Sequence, residues 1–317
     1  MKNKKDEVKA KKPRKKRSIP EIVYDLTHAR HDPGHCHASL FRSLQKGTRT
    51  KQGMDIKYKF GKESLRFVCF NLLGVEEMIF LQVFVALAGK DKRYIKLDGS
   101  AKTELGRSLA TLLDPKEHAL VMTSLMIKKA SFYMLLKESG YNPHMPKNIE
   151  RLKESLVRLS NVTLFVDSKE RFFSSNLLSH SIDKETKEVS IALNPLVTES
   201  IFGQRSYTRI DLSEVRALKT DPARLLHERL CAWIWPGETK KVQLDKLTAY
   251  IWPDKATENT MRKRRYTARK ALQEICSIGW KGWSVEESKT GICTISRAKV
   301  VLSKDEEEDE NKKAEDS

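Results

Sequence analysis

One order of elements occurs twice along the sequence, and it constrains the fold more than any other feature. Residues 131–139 are predicted to form a short helix, which the Gly-Tyr-Asn-Pro run at 140–143 ends because glycine and proline break helices. A second helix is predicted from Pro146, with apolar residues at i, i+3, i+7 and i+10 on one face. Three strand-like runs follow, at residues 162–166, 172–178 and 189–193. This is the order of a winged helix-turn-helix.

The second half of the sequence repeats this order. Asp221 and Pro222 predict the N-cap and the first position of a helix that ends before Pro236. The elements predicted after it are a short helix at 244–252, a long helix at 258–277, and the two strands of a hairpin at 280–286 and 292–297. We therefore predict an α+β fold made of two tandem winged helix-turn-helix domains with flexible charged tails.

The distribution of charge sets the domain bounds. Residues 1–17 hold ten Lys or Arg and two acids, whereas residues 304–317 hold three Lys and eight acids. Neither segment has an apolar face to bury, so we expect a disordered basic arm over 1–17 and a disordered acidic tail over 304–317. Between them we predict an N-terminal winged-helix domain over 18–200 and a C-terminal one over 201–303.

Several classes of protein are excluded by missing features. The longest apolar stretch, residues 78–88, already contains Gln82 and is far shorter than the roughly 20 residues that cross a membrane. The five cysteines are scattered without a C-x-x-C pair, which indicates reduced thiols in a cytosol. Phosphate-loop, dinucleotide and nucleophile-elbow motifs are absent. We therefore expect a cytoplasmic protein with no membrane partner, no cofactor and no enzymatic activity.

The charge of the chain predicts a polyanionic partner. Lys and Arg number 60 against 42 acids, a formal net charge of +18, and nucleic acid is the usual partner of such a chain. The densest basic cluster outside the arm lies on the predicted helix 258–277, which Thr257 caps. Its apolar stripe consists of Met261, Ala268, Leu272 and Ile275. The opposite face carries no carboxylate before Glu274, a composition that suits a helix in the major groove.

The residues of this helix receive predicted roles. Bases are read by Asn259, Arg262, Lys263 and Tyr266. Phosphates are contacted by Arg264, Arg265, Arg269 and Lys270, and Thr260 is a further DNA-binding residue. The alternative is an exposed basic helix without a partner.

The amphipathic helix of the first half is a weaker candidate. Its outward cations, predicted as secondary DNA contacts, are Lys147, Arg151 and Arg158. Glu150 and Glu154 share that face and would repel phosphates. We therefore predict that this domain contacts the DNA backbone, forms a protein interface through which the chain self-associates, or does both.

A histidine-rich segment allows a different chemistry. Residues 28–37 contain four His, one Cys and one Asp, which could bind a transition metal. His35-Cys36-His37 is also a His-apolar-His pattern, as in metal-dependent nicking enzymes that use a tyrosine nucleophile such as Tyr24. Pro33-Gly34 stands where such an enzyme needs a strand. We favour a turn-rich start of a helix whose imidazoles contact backbone or DNA phosphate, with no metal and no catalytic residue.

The sequence resembles the RepC-type replication initiators of IncQ-like broad-host-range plasmids. The stretches that carry the resemblance are His31-Asp32-Pro33-Gly34-His35-Cys36 with Leu40-Phe41-Arg42, residues 191–196 (IALNPL), 214–218 (EVRAL), 223–231 (ARLLHERLC) and 260–265 (TMRKRR). They are collinear and span about residues 28–297, although much of 90–170 and both tails lie outside the match.

The resemblance implies a function more specific than the residues alone support. It implies two winged-helix domains that bind direct repeats (iterons) at the plasmid's vegetative origin. It further implies opening of an adjacent AT-rich segment and recruitment of plasmid-encoded helicase and primase. The residues alone support a basic protein of two units that binds duplex DNA and has no catalytic machinery. Two alternatives remain: a metal-dependent strand-nicking initiator or relaxase, and a plain transcription repressor that binds its site without melting the neighbouring duplex.

Overall fold

The computed structural model describes residues 24–44, 53–278 and 282–299 and shows a mixed α+β fold. The basic arm predicted over 1–17 and the acidic tail predicted over 304–317 lie outside the described residues.

The first half of the chain alternates strands and helices. In chain order its elements are β1 (His28–His31), α1 (Pro33–His37), β2 (Met54–Phe60), β3 (Glu63–Cys69), α2 (Val75–Asp91), β4 (Tyr94–Lys96), α3 (Glu104–Leu112), β5 (Lys116–Glu117), a 3₁₀ turn (His118–Val121), β6 (Thr123–Ser131), α4 (Phe132–Glu138), α5 (Pro146–Ser160), β7 (Val162–Asp167), β8 (Phe172–Asn176), β9 (Leu178–Ile182) and β10 (Glu188–Leu193).

The second half is richer in helix. Its elements are α6 (Pro195–Phe202), β11 (Thr208–Asp211), α7 (Leu212–Ala217), α8 (Asp221–Trp233), β12 (Thr239–Gln243), α9 (Leu244–Ile251), α10 (Glu258–Ser277), β13 (Trp283–Glu287) and β14 (Ile292–Arg297).

The two successive helices predicted in the first half are present as α4 and α5. The side chain of Ser131 caps α4 by accepting a hydrogen bond from the Met134 N–H, and Gly140 ends the helix region in the left-handed conformation with φ +76°. The apolar face of α5 buries Leu152, Leu156 and Leu159, as the spacing predicts.

Two predictions of local structure are wrong. The run 172–178 forms two strands, β8 and β9, because residues 172–176 pair with β7 whereas the chain from Leu178 onward pairs with β10 in another sheet. The N-cap of α8 is Thr220 and not Asp221. Thr220 keeps an extended backbone and its hydroxyl accepts from the Ala223 N–H, so the helix begins at Asp221 with Pro222 in its first turn.

Within the described ranges the strands form four antiparallel sheets. The first half contains a five-stranded sheet of order β2-β3-β7-β8-β5 and a four-stranded sheet of order β4-β6-β10-β9. The second half contains a three-stranded sheet of order β12-β14-β13, and β1 pairs with β11. Because β1 belongs to the first half of the chain and β11 to the second, this small sheet connects the two halves.

A continuous apolar core also joins the halves. The helix α2 lies at its centre, with Met78, Phe80, Leu81 and Phe84 almost fully buried. It packs against β1, α5 and β6 of the first half and against α8 of the second. Burial on all sides explains why α2 reads as a continuous apolar run rather than as an amphipathic stripe.

Candidate nucleic-acid interface

The helix α10 presents its basic residues on a face opposite the core. Ala268, Ala271, Leu272 and Ile275 are buried where α10 packs on α8, α9 and β13, whereas Met261 is half-buried. The bounds of the helix and its Thr257 cap are therefore as the sequence predicts, and the core stripe differs only in that Ala271 is buried and Met261 is not. What the sequence leaves open is how each basic side chain is used.

Besides the ion-paired Arg269, six of the nine residues assigned to DNA on α10 are exposed. They are Asn259, Thr260, Arg262, Lys263, Tyr266 and Lys270. The Tyr266 ring is 58% exposed, and Lys270 Nζ lies 4.7 Å from its centroid. Within the ranges that the structure describes, no carboxylate pairs with Arg262 or Lys263. These donors are therefore free to meet base edges and phosphates.

The other three arginines of α10 bind groups of the protein itself. Arg265 donates to both oxygens of Asp245 on α9, at 2.7 and 3.0 Å, and to Glu258 at 2.6 Å. Arg269 makes two bonds of 2.7 Å to Glu287 on β13. Arg264 donates to the Asp254 carbonyl at 2.7 Å.

These three arginines connect α10 to its neighbouring elements. Hydrogen bonds from Arg265 lower the pKa of Asp245, and those from Arg269 lower the pKa of Glu287. These two pairs therefore persist as ion pairs at neutral pH and connect α10 to α9 and to the hairpin β13–β14. The Arg264 hydrogen bond connects α10 to the loop that precedes α10. A helix held in this way presents its exposed donors in one orientation, which base reading requires.

The phosphate roles predicted for these arginines lead to a measurable expectation. Arg269→Ala should weaken binding to duplex DNA by less than about fivefold, because an exposed ion pair contributes only about 1 kcal/mol or less and the guanidinium is already occupied. Fluorescence anisotropy with a labelled origin duplex at fixed salt measures this. A loss as large as that of Lys263→Ala would show that Arg269 leaves Glu287 for a phosphate.

Two of the three secondary cations of α5 are also bound within the protein. Arg158 Nε donates to the buried Glu77 of α2 at 2.8 Å, and its Nη1 lies 3.1 Å from Glu154. Arg151 Nε lies 3.5 Å from Glu76. Lys147 remains exposed in the first turn of the helix. The arginines of α5 thus compensate the acidic start of α2, and sequence alone could not pair residues so far apart.

The two halves share one arrangement of sheet and helices. In each, a strand runs directly into a short helix: β6 into α4, and β12 into α9. The spatial orders β6-β10-β9 and β12-β14-β13 correspond strand for strand. The last residue of β6, Ser131, pairs with Glu188, and the last residue of β12, Gln243, pairs with Ile292. The hairpin tips at 183–187 and 288–291 therefore lie beside the short helices in both halves.

Sequence reasoning missed a group of lysines at the first of these tips. Lys128 and Lys129 lie together in a bulge of β6, where both oppose Ser190 of β10. Lys184 and Lys187 lie on the neighbouring hairpin tip, and all four are exposed. Lys129 and Lys187 adopt left-handed backbone, with φ +58° and +55°. The pattern K-K before a predicted helix and K-x-x-K in a predicted turn was the available signal.

The histidine-rich segment is buried. Asp32 caps α1, and one of its oxygens lies 3.1 Å from the His35 N–H and 2.8 Å from His35 Nδ1. Its other oxygen forms an ion pair with Arg205 Nε at 2.9 Å and accepts a hydrogen bond from the Ser200 hydroxyl at 3.1 Å. His31, Asp32 and His35 are each at most 1% exposed. These groups contact protein and cannot contact a DNA phosphate in this conformation.

The charge states of this segment follow from its burial. Burial alone would raise the pKa of Asp32, but the His35 hydrogen bond and the Arg205 charge outweigh it and lower the pKa to about 2. Burial, followed by repulsion from His35, lowers the pKa of His31 to about 4. The predicted backbone contact is present at His31, whose Nδ1 lies 3.4 Å from the Asp32 carbonyl oxygen. The charged Asp32 therefore holds α1 against the segment around Ser200 and Arg205.

The family of the chain follows from its sequence as a whole. The model of the family described as replication protein C (RepC) matches residues 23–299. The chain belongs to this family. The match confirms the resemblance seen in the sequence and gives the chain the role of a DNA replication initiator.

Comparison with solved structures adds two neighbours of this RepC chain. Selenomethionine derivatives of domains 2 and 3 of RctB align with a TM-score of 0.46 and 10% identity, covering 86% of this chain and 99% of the other. A second structure of RctB domains 2–3 aligns with a TM-score of 0.44 and 8% identity, covering 85% and 97%. No curated protein sequence matches the chain. Among the described residues, no helix has the length and apolar character to cross a membrane.

One buried cluster of this RepC chain has the donor types of a metal site. Single ligand atoms of Glu214, His227 and Cys231 lie within 4.8 Å of one another. A histidine that binds metal through Nε2 normally donates its Nδ1–H to a partner, and His227 Nδ1 has none among the described residues. Burial would lower the pKa of His227, but Cys231 and Glu214 outweigh it and raise the pKa to about 10. We therefore interpret the cluster as a buried ion pair of His227 with Glu214.

Proposed function

We propose that the chain initiates plasmid replication by binding direct repeats at an origin through two winged-helix units, without catalysing a reaction. The carrying observation is the exposed face of α10. Arg262, Lys263 and Tyr266 project from a helix that is held by two ion-paired arginines, Arg265 and Arg269, and by a hydrogen bond from Arg264 to a backbone carbonyl. Arg and Asn side chains can each form two hydrogen bonds with one base edge, and such pairs discriminate between bases.

The winged-helix assignment rests on connectivity. In this proposal α10 and α5 are the second helices of two helix-turn-helix units, and the hairpins β13–β14 and β9–β10 are the wings. The equal strand orders and the equal pairing of the first and third strands support it. The boundary between the units would lie near residues 194–211, which include α6 and β11.

In the same proposal the first unit contributes phosphate contacts from its hairpin tip rather than from α5. Lys128, Lys184 and Lys187 have no ion-pair partner among the described residues. Lys129 forms a long ion pair, with its Nζ 3.9 Å from Glu188 Oε2. The Asp183 carboxylate folds back to accept the N–H groups of Glu185 and Thr186. Bulges are common where a strand must redirect its side chains toward a ligand, as at Lys128 and Lys129.

The family resemblance supplies the later steps of the proposed function. Origin opening, recruitment of plasmid helicase and primase, and self-association through the first unit are expectations that rest on that resemblance. The place of action would be the bacterial cytoplasm. A nicking role for His35, His37 and Tyr24 is disfavoured because His35 is buried against Asp32, and because the Tyr24 ring is covered by Arg216 at 4.0 Å.

Footprinting on the origin region of the parent replicon tests this function. We expect protection that repeats at near-integral turns of the helix, together with permanganate reactivity of thymines in an adjacent AT-rich segment. Protection without permanganate reactivity would favour the repressor. A covalent protein–DNA adduct, or a nick that requires a divalent metal on supercoiled origin DNA, would replace the proposal with the relaxase.

A further inference from the structure

The end of α2 and the strand β4 form a basic ridge with one aromatic ring. Residues 90–97 hold four Lys or Arg and one acid. The exposed members, called the β4 ridge below, are Lys90, Lys92, Arg93, Tyr94 and Lys96. No ion pair involves these four cations within the ranges that the structure describes.

The backbone of the ridge is well fixed although its side chains are free. Lys92 ends α2 in the left-handed conformation and donates its N–H to the Ala88 carbonyl at 2.9 Å. The Arg93 carbonyl accepts the Met126 N–H at 2.7 Å, and Tyr94 pairs with Leu125 of β6. Because Ile95 points into the core, Tyr94 and Lys96 project together from the other face of β4.

Cations in the last turn of a helix or at its C-cap are stabilised by its macrodipole, which accounts for Lys90 and Lys92. It does not account for Tyr94. This ring is 64% exposed between Arg93 and Lys96, on a strand with one hydrogen-bonded neighbour in the described sheet. Rings flanked by cations on a sheet are the elements with which proteins hold unpaired nucleotides, since a base stacks on the ring while cations meet the phosphates.

The ridge is separated from the surface assigned to duplex DNA. Tyr94 pairs with Leu125 near the start of β6, whereas the hairpin tip at 183–187 lies beside Ser131 at its end. Six residues of strand span about 20 Å. A duplex on the hairpin tip therefore leaves Tyr94 accessible, and duplex bases are stacked inside the helix where this ring cannot reach them.

We propose that the β4 ridge binds single-stranded DNA, with Tyr94 stacking on a base and Arg93 and Lys96 contacting the flanking phosphates. The site goes beyond origin recognition and does not require α10. In the intact protein it would hold one strand of a duplex that has opened near the bound site.

Anisotropy of a fluorescein-labelled oligodeoxythymidylate of about 16 nucleotides tests the site. The full chain is measured alone and after saturation with unlabelled origin duplex, which occupies α10 and the other duplex contacts. Tyr94→Ala should weaken oligonucleotide binding at least about fivefold in both measurements, because stacking is lost. Tyr94→Phe should bind as the wild type does, since the ring remains.

Two further variants complete the test. Tyr133→Ala removes another exposed tyrosine, 53% exposed, and should leave oligonucleotide binding unchanged. Arg93→Gln with Lys96→Gln should reduce the log–log salt slope by about 0.7 for each lost phosphate contact, on a fold that two exposed substitutions do not disturb.

The proposal is overturned if Tyr94→Ala binds the oligonucleotide as tightly as the wild type, if Tyr94→Phe loses as much as Tyr94→Ala, or if the salt slope does not change in the double variant. Failure of the wild type to bind origin duplex would instead contradict the proposed function. The oligonucleotide measurement on the free chain would still test the ridge in that case.

Discussion

A chain that carries Arg262→Ala and Lys263→Ala together is expected to lose most of its preference for origin repeats. Each base contact of this kind contributes about 1–3 kcal/mol, so the pair should weaken specific binding at least about 30-fold. Both side chains are exposed and lie outside the buried stripe of α10. The free energy of unfolding should therefore change little, and the loss can be assigned to the interface.

The matched control is Lys57→Ala with Lys59→Ala. These two lysines are exposed on the strand β2 of the five-stranded sheet, so the control removes the same charge from a surface assigned to no ligand. Affinity is measured by anisotropy for origin and scrambled duplexes at one salt concentration. If both double variants lose the same affinity for both duplexes, α10 contributes only charge, and base reading must be sought elsewhere.

Local signals in the sequence were sufficient to predict α10. The Thr257 cap, the spacing of Ala268, Leu272 and Ile275, and the basic outer face all depend on neighbours within one helix. The same holds for the α4–α5 turn. Propensity, capping and periodicity are local properties, and in these segments they agree with the final fold.

The partners of the arginines could not be predicted in this way. Arg265 meets Asp245 and Arg269 meets Glu287, contacts that span 20 and 18 residues and depend on how α9 and β13 pack. Arg158 meets Glu77 across 81 residues. A helical wheel shows that a cation faces outward, but it cannot show that a carboxylate from another element lies there. The division between free and bound cations at the candidate site therefore required the structure.

The buried carboxyl of Glu228 is expected to make the free energy of unfolding depend strongly on pH. It lies on α8, is 5% exposed, and its Oε1 accepts a hydrogen bond from Gln82 Nε2 of α2 at 3.0 Å. Burial raises its pKa to about 7, although Gln82, His227 and Arg229 act in the opposite direction. The carboxyl is thus neutral in the folded chain at mildly acidic pH and must be charged at higher pH.

The sign of the effect on stability follows by linkage. The folded pKa of Glu228, about 7, is above the ordinary value of 4.5. Its contribution to stability is therefore fully present below pH 4.5 and is lost as the pH rises through 7. The loss amounts to about 3 kcal/mol at pH 8, at about 1.4 kcal/mol for each unit of pKa difference. Glu228→Gln keeps an acceptor for Gln82 and removes the titration.

We accordingly expect Glu228→Gln to be more stable than the wild type by up to about 3 kcal/mol at pH 8 and equally stable at pH 4.5. Urea unfolding at the two pH values measures the difference. Protonation of His31, whose pKa burial lowers to about 4, also changes stability in this range, but it affects both chains alike and cancels in the comparison. The control Glu185→Gln replaces an exposed carboxylate and should match the wild type at both pH values. A variant that gains nothing at pH 8 would show that the charged Glu228 carboxyl is compensated within the fold. A variant that gains equally at pH 4.5 would show that the gain does not come from the titration of Glu228.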